Sequence, residues 1–131
     1  MFIKDSSLTN VMTITKSTFI HNYCDINGGG AVDVGIRLSA IPPPTGNTML
    51  FENCMFQDNY APIGGAVIVT VTTSDKRHHT GKNFITFERC TWFDNSADTS
   101  AAVDISVHSP DMHIGPFPVF TDCHFIANKV P

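Results

Sequence analysis

Apolar and polar residues alternate along this chain in runs of three to five, and no stretch carries the spacing of an amphipathic helix. Met49 and Phe51 flank Leu50, Cys54 and Phe56 flank Met55, and Ala66-Val67 opens an alternating β-branched run. Asn, Gly and Asp interrupt these runs. The pattern therefore predicts short strands joined by tight bends.

The runs recur as a repeat. Four segments align without gaps, from Met12 to Asn22, Met49 to Asn59, Ile85 to Asn95 and Pro118 to Asn128. Each carries an apolar or aromatic residue, then Ser or Cys, then Phe or Trp, then Asn, at fixed offsets. A second block follows three of them: Gly29-Gly30-Ala31-Val32-Asp33-Val34, Gly64-Gly65-Ala66-Val67-Ile68-Val69 and Ser100-Ala101-Ala102-Val103-Asp104-Ile105. Phe19, Phe56, Trp92 and Phe125 are separated by 37, 36 and 33 residues, a period in the solenoid range. With three short strands per unit, the expected fold is an all-β, right-handed parallel β-helix of roughly three and a half coils. Its adjacent coils would lie about 4.8 Å apart. Helical solenoids need longer amphipathic segments, and leucine-rich repeats need a Leu/Asn consensus that is absent here.

Fixed offsets become columns in such a fold. Phe19, Phe56, Trp92 and Phe125 are expected to stack in the core, and Ile14, Phe51, Phe87 and Phe120 to form a second apolar column. Asn22, Asn59, Asn95 and Asn128 fall at a bend, where Asn tolerates a left-handed backbone and its amide can bond from coil to coil. Ser17, Cys54, Cys90 and Cys123 share one inward position, where a free thiol behaves as a small apolar residue. Disulfides between Cys54 and Cys90 or Cys90 and Cys123 remain open, although in-register parallel side chains suit disulfide torsions poorly. Cys24 has no evident partner, and the redox compartment stays open.

Composition narrows the function classes. The chain has 131 residues, 42% hydrophobic and 15% charged, which fits one globular domain. A net charge of −4 argues against a nucleic-acid or anionic-lipid surface. No apolar run reaches the ~18 residues of a bilayer span, and residues 1–6 lack the features of a secretory signal. The four Cys follow no familiar zinc spacing, and no Asn-x-Ser/Thr sequon is present.

Phe56-x-x-Asn59-x-Ala61-x-x-Gly64-Gly65-Ala66-Val67 resembles the FxxN and GGA(I/L/V) repeats of the chlamydial polymorphic outer membrane proteins and related adhesins. The first unit matches through Phe19-x-x-Asn22 and Gly29-Gly30-Ala31-Val32, with two extra residues between the motifs. The third departs, with Trp92 for Phe and Ser100-Ala101 for Gly-Gly, while Asn95 and Ala97 are kept; the fourth carries Phe125-x-x-Asn128. The resemblance implies a surface-exposed or secreted β-helix that mediates adhesion. Separately, solenoids need end caps and no amphipathic helix is evident to supply one, so the chain is expected to be a segment of a longer solenoid continuing into further coils, with its signal and anchor elsewhere.

Candidate chemistry lies in the connections at 35–48, 70–83 and 106–117, which leave the same point of successive coils. Long connections of this kind are either decoration or functional. Arg37, Lys76, Arg77, His78, His79 and His113 are the candidate ligand contacts, and host-cell or glycan surfaces are the expected partners. His78, His79, His108 and His113 do not have diagnostic metal spacing, so no metal or cofactor is expected. His21 and His124 are expected on exposed sheet faces.

A carbohydrate-active β-helix enzyme is the alternative. Asp33 and Asp104 share a position in the third strand, two coils and so about 9.6 Å apart, near the upper limit for inverting carboxylates. Ile68 falls between them, and no neighbouring base or cation is evident. A solvated face is the simpler reading. The expectation is a non-catalytic stalk-like or adhesive scaffold.

Overall fold

The computed structural model describes residues 2–4, 11–26, 28–38, 48–73, 84–108 and 118–131. These are all-β, with twelve strands and no helix. In chain order they are β1 (Phe2–Lys4), β2 (Val11–Thr15), β3 (Thr18–Ile20), β4 (Val32–Leu38), β5 (Thr48–Glu52), β6 (Met55–Gln57), β7 (Val67–Thr73), β8 (Phe84–Glu88), β9 (Thr91–Phe93), β10 (Val103–His108), β11 (Val119–Thr121) and β12 (His124–Ile126).

The strands form three four-stranded sheets in the orders β1-β4-β7-β10, β2-β5-β8-β11 and β3-β6-β9-β12. Every pairing is parallel. Each sheet thus collects one strand from each successive repeat. The register follows the sequence alignment residue for residue: Phe19 pairs with Phe56, Phe56 with Trp92, and Trp92 with Phe125. Sheets built only of parallel strands are stable when their inner faces are covered, and here the three sheets cover one another around a shared core.

That core draws Val34, Val67 and Val69 from the first sheet, Met49, Phe51, Ile85 and Phe87 from the second, and Phe56 and Trp92 from the third. Alternation decides which side chains enter it: in β5, Met49 and Phe51 are buried and Leu50 is not. Both expected ring columns form. Phe19–Phe56, Phe56–Trp92 and Trp92–Phe125 stack at 4.9, 5.1 and 4.6 Å between centroids. Phe51–Phe87 and Phe87–Phe120 stack at 4.9 and 5.0 Å. The two columns meet edge-on, as in Phe87 against Trp92 at 68° between planes. This mixture of offset stacks and edge contacts satisfies the ring quadrupoles in both directions.

Two corners are built from left-handed residues, and their positions correct the expectation for the Asn column. Positive φ falls one residue earlier, at His21, Asp58, Asp94 and Ala127 (54°, 50°, 52° and 54°). A second set, Lys16, Asn53, Arg89 and Asp122, lies at 48° to 53°. The Asn side chains have a different task. Asn59 and Asn95 are wholly buried, and Asn22 Nδ2 donates to Asn59 Oδ1, Asn59 Nδ2 to Asn95 Oδ1, and Asn95 Nδ2 to Asn128 Oδ1 at 2.8–2.9 Å. The second Nδ2 proton of Asn59, Asn95 and Asn128 goes to the carbonyl of Phe19, Phe56 and Trp92. Each buried amide is therefore satisfied by the repeats on either side of it, as a low-dielectric interior demands.

Glycine answers a different constraint at the third corner. A Cβ on Gly65 would lie 2.2 Å from the Ala101 carbonyl oxygen, and one on Gly30 would lie 2.2 Å from that of Gly65. These glycines let successive repeats approach, and Gly64 in addition has φ of +60°.

Candidate functional site

The third strands are longer than the repeat pattern implied. β4, β7 and β10 run to Leu38, Thr73 and His108, so the first residues of each expected connection are strand. Their ends lie side by side, with Arg37 opposite Thr72 and Thr72 opposite His108. Of the candidate contact residues, Arg37 is in β4, between Lys4 and Thr72 in register. Lys76, Arg77, His78, His79 and His113 lie outside the described residues.

The rows of this sheet follow from its register. Asp33, Ile68 and Asp104 form one row, Gly35, Thr70 and Ser106 the next, and Arg37, Thr72 and His108 the last. Ile68 is buried between the two carboxylate positions. Asp104 is held from two sides: Ser100 Oγ donates to its Oδ2 at 2.8 Å and Ser106 Oγ to its Oδ1 at 2.9 Å. Both oxygens are thus engaged and the carboxylate is fixed in orientation.

Comparison with protein-family models, with curated proteins and with solved structures returned no match. The site therefore rests on its own geometry.

Two ion strips run along the corners, and sequence reasoning had passed over both. Arg89 donates to Glu88 of its own repeat and to Glu52 of the preceding one, and its Nε donates to Asn53 Oδ1 at 3.2 Å. Glu52 and Glu88 are paired in register, so Arg89 neutralises like charges that would otherwise face each other. In the second strip His21 lies 3.2 Å from Asp58, and Lys129 donates to Asp94. The Lys129 hydrogen bond and charge hold the Asp94 carboxyl below its ordinary range, and the Asp94 contact in turn raises Lys129. The alignment carried the signal, since His21, Asp58 and Asp94 occupy one offset. Exposed Tyr23 stacks on half-buried Tyr60 at 5.1 Å beside the Asn column, and Tyr60 Oη donates to Asp98 at 3.4 Å.

The cysteines are free thiols. Cys54, Cys90 and Cys123 each donate to the carbonyl of the preceding repeat's aliphatic or aromatic column, at Ile14, Phe51 and Phe87, over 3.4–3.5 Å. Burial pushes the Cys90 thiol up to about 11. His21, His108 and His124 are exposed. Among the described residues no group of three or more His, Cys, Asp or Glu could hold a metal ion. No helix there is long and apolar enough to cross a membrane.

Proposed function

We propose that this chain is a segment of a right-handed parallel β-helix that serves as a non-catalytic scaffold, stalk-like or adhesive, on a surface or secreted protein. The observation that carries the reading is the columnar packing. Each strand pairs only with the strands of adjacent repeats in its own sheet, while Asn and ring columns run unbroken through the stack. A quasi-one-dimensional assembly of this kind extends without a change of core and resists bending, which is what a stalk requires. The long connections leave from adjacent strand ends, Leu38 beside Thr73 and Thr72 beside His108. They would present one side of the rod to a host-cell or glycan partner.

The carbohydrate-active alternative is less well supported. Its two carboxylates would have to act across Ile68, and both oxygens of Asp104 are already engaged by serine hydroxyls.

Glycan-array and cell-binding measurements test the adhesive role. The wild-type chain should bind a defined glycan or cell surface. Alanines at Lys76, Arg77, His78, His79 and His113 together should lower that binding at least tenfold, a loss of about 1.4 kcal/mol. Unchanged binding in this variant sinks the contact assignment. Release of reducing ends from acidic polysaccharides by the wild type would reverse the choice in favour of the enzyme.

A further inference from the structure

A row of side chains lies outside the core immediately after the Asn column. Tyr23, Tyr60, Ser96 and Lys129 are bridged in parallel, one from each successive repeat. Alternation keeps them out of the core: Asn59 and Ala61 are wholly buried, and Tyr60 between them is not. The long connections follow β4, β7 and β10, whereas Tyr23, Tyr60 and Ser96 precede those strands.

The row begins as an aromatic column and then loses its rings. Tyr23 stacks on Tyr60 with centroids 5.1 Å apart and planes 17° apart. Among the described residues Tyr23 is the one ring stacked on Tyr60. The other face of Tyr60 looks toward the rung of Ser96, whose side chain is too short to cover a phenol ring. Lys129 stands one rung further on, about 9.6 Å from Tyr60 at twice the strand spacing, and its ammonium is drawn to Asp94. Rings on neighbouring repeats of this protein stack at 4.6–5.1 Å. The Ser96 rung thus has the spacing of a seat for one more ring.

A carboxylate frames this seat. Tyr60 Oη donates to Asp98 Oδ1 at 3.4 Å, which sets the acid at the tip of the ring. Asp98 is exposed, yet its backbone is tied to the preceding repeat: its N–H donates to the Pro62 carbonyl at 3.2 Å, and Thr99 Oγ1 donates to the same carbonyl at 3.3 Å. An aromatic face with a few fixed polar groups at its rim is the make-up of a small-ligand site.

We propose that the Ser96 rung is a saccharide subsite, in which a neutral pyranose lies on the open face of Tyr60 and donates hydroxyl protons to Asp98. A pyranose with equatorial hydroxyls presents axial C–H bonds on its face, and their weakly positive hydrogens are attracted by the negative face of the phenol ring. Its hydroxyls radiate from the ring edge, where the Asp98 carboxylate accepts them in charge-assisted hydrogen bonds. The same carboxylate repels a uronic acid, and a flat aromatic ligand would bring it no hydroxyl donors. This inference goes beyond the scaffold reading, which assigns ligand contact to the long connections; it places a sugar on the coil itself, whether or not the chain is adhesive.

Saturation-transfer NMR of the full chain with methyl β-glucopyranoside is the test, with methyl β-glucuronide as the charged control. The glucoside should bind with a dissociation constant of about 1 mM, the scale for a ligand of its size, with the strongest transfer at its ring C–H protons. The glucuronide should bind more weakly. Ser96→Tyr should fill the seat by continuing the Tyr23–Tyr60 stack, lowering glucoside binding about tenfold while the urea midpoint is kept or raised. Asp98→Asn should weaken binding roughly three- to tenfold. Asp98 is exposed, so this second variant keeps the fold if Ser96→Tyr does not. Alanines at Lys76, Arg77, His78, His79 and His113 together should leave glucoside binding unchanged; a loss there puts the sugar on the connections and overturns the proposal. So does an absence of transfer up to the solubility limit of the glucoside, tighter binding of the glucuronide, or binding that persists in folded Ser96→Tyr or Asp98→Asn at the wild-type level.

Discussion

At the residue scale the corners hold the most informative choices. Left-handed backbone costs a residue with a Cβ about 1–2 kcal/mol, yet Ala127, Arg89, Lys16 and His21 all adopt it. Arg89 offsets this by binding two glutamates. Ala127 is exposed and brings no side-chain hydrogen bond. Ala127→Gly should therefore raise stability by roughly 0.5–1 kcal/mol, once the greater freedom of glycine in the unfolded chain is subtracted; urea unfolding reads it. The Cys90 thiol makes a second prediction. Its value of about 11 lies above the ordinary thiol range, so the folded state holds this proton more tightly than the unfolded one. Stability should be complete below the ordinary thiol value and should fall as pH rises from there through about 11. At pH 8 iodoacetamide should leave Cys90 unmodified in the native protein and label it in urea, as read by peptide mass spectrometry. Trp92 is a local misfit: its Nε1–H is buried without a partner in a column otherwise built of Phe.

Elements are held together here by ladders more than by strand propensity, since β3, β6, β9 and β12 have only three residues each. Asn59 accepts from Asn22 and donates to Asn95 and to the Phe19 carbonyl. Asn59→Ala should cost about 3 kcal/mol, from several lost bonds of about 1 kcal/mol each with buried partners left unpaired. Asn22→Ala, with a partner on one side only, should cost less than half as much. Equal losses in chemical denaturation would contradict the ladder account. The Asp94–Lys129 pair makes a pH prediction at the same scale. Asp94 is lowered and Lys129 raised. The Asp94 contribution is present above the ordinary carboxylate value of about 3.9 and is lost as pH falls through its depressed folded value. The Lys129 contribution is present below about 10.4 and is lost as pH rises through its raised one. Lys129→Met should accordingly lower the midpoint of thermal unfolding slightly between those limits and leave it unchanged in strong acid or alkali.

For the whole molecule, stability is a sum over neighbouring repeats, so the middle of the stack must be the most protected part. Met49, Phe51, Phe56, Phe87 and Trp92 are enclosed from both sides, whereas β2, β3, β11 and β12 lack one neighbour. Hydrogen exchange in dilute solution should be slowest in β5, β6, β8 and β9 and fastest in the end strands; uniform protection would mean that the stack opens as one unit.

How far the sequence reached can be stated from particular residues. The recurrence of Phe19, Phe56, Trp92 and Phe125 at nearly constant spacing, with period-two alternation around them, was enough to define which residues share a column. Because the same offsets recur within each repeat, one parallel register sets these four rings in a single column. The candidate carboxylates Asp33 and Asp104, and Ile68 between them, followed from the same reasoning. The left-handed positions at His21 and Asp58, the bridging of Glu52 and Glu88 by Arg89, the orphaned Nε1–H of Trp92 and the extension of β4, β7 and β10 into the connections did not. Each depends on a neighbour more than thirty residues away, on backbone curvature at a corner, or on how closely one repeat approaches the next, and those quantities exist only once the repeats are stacked.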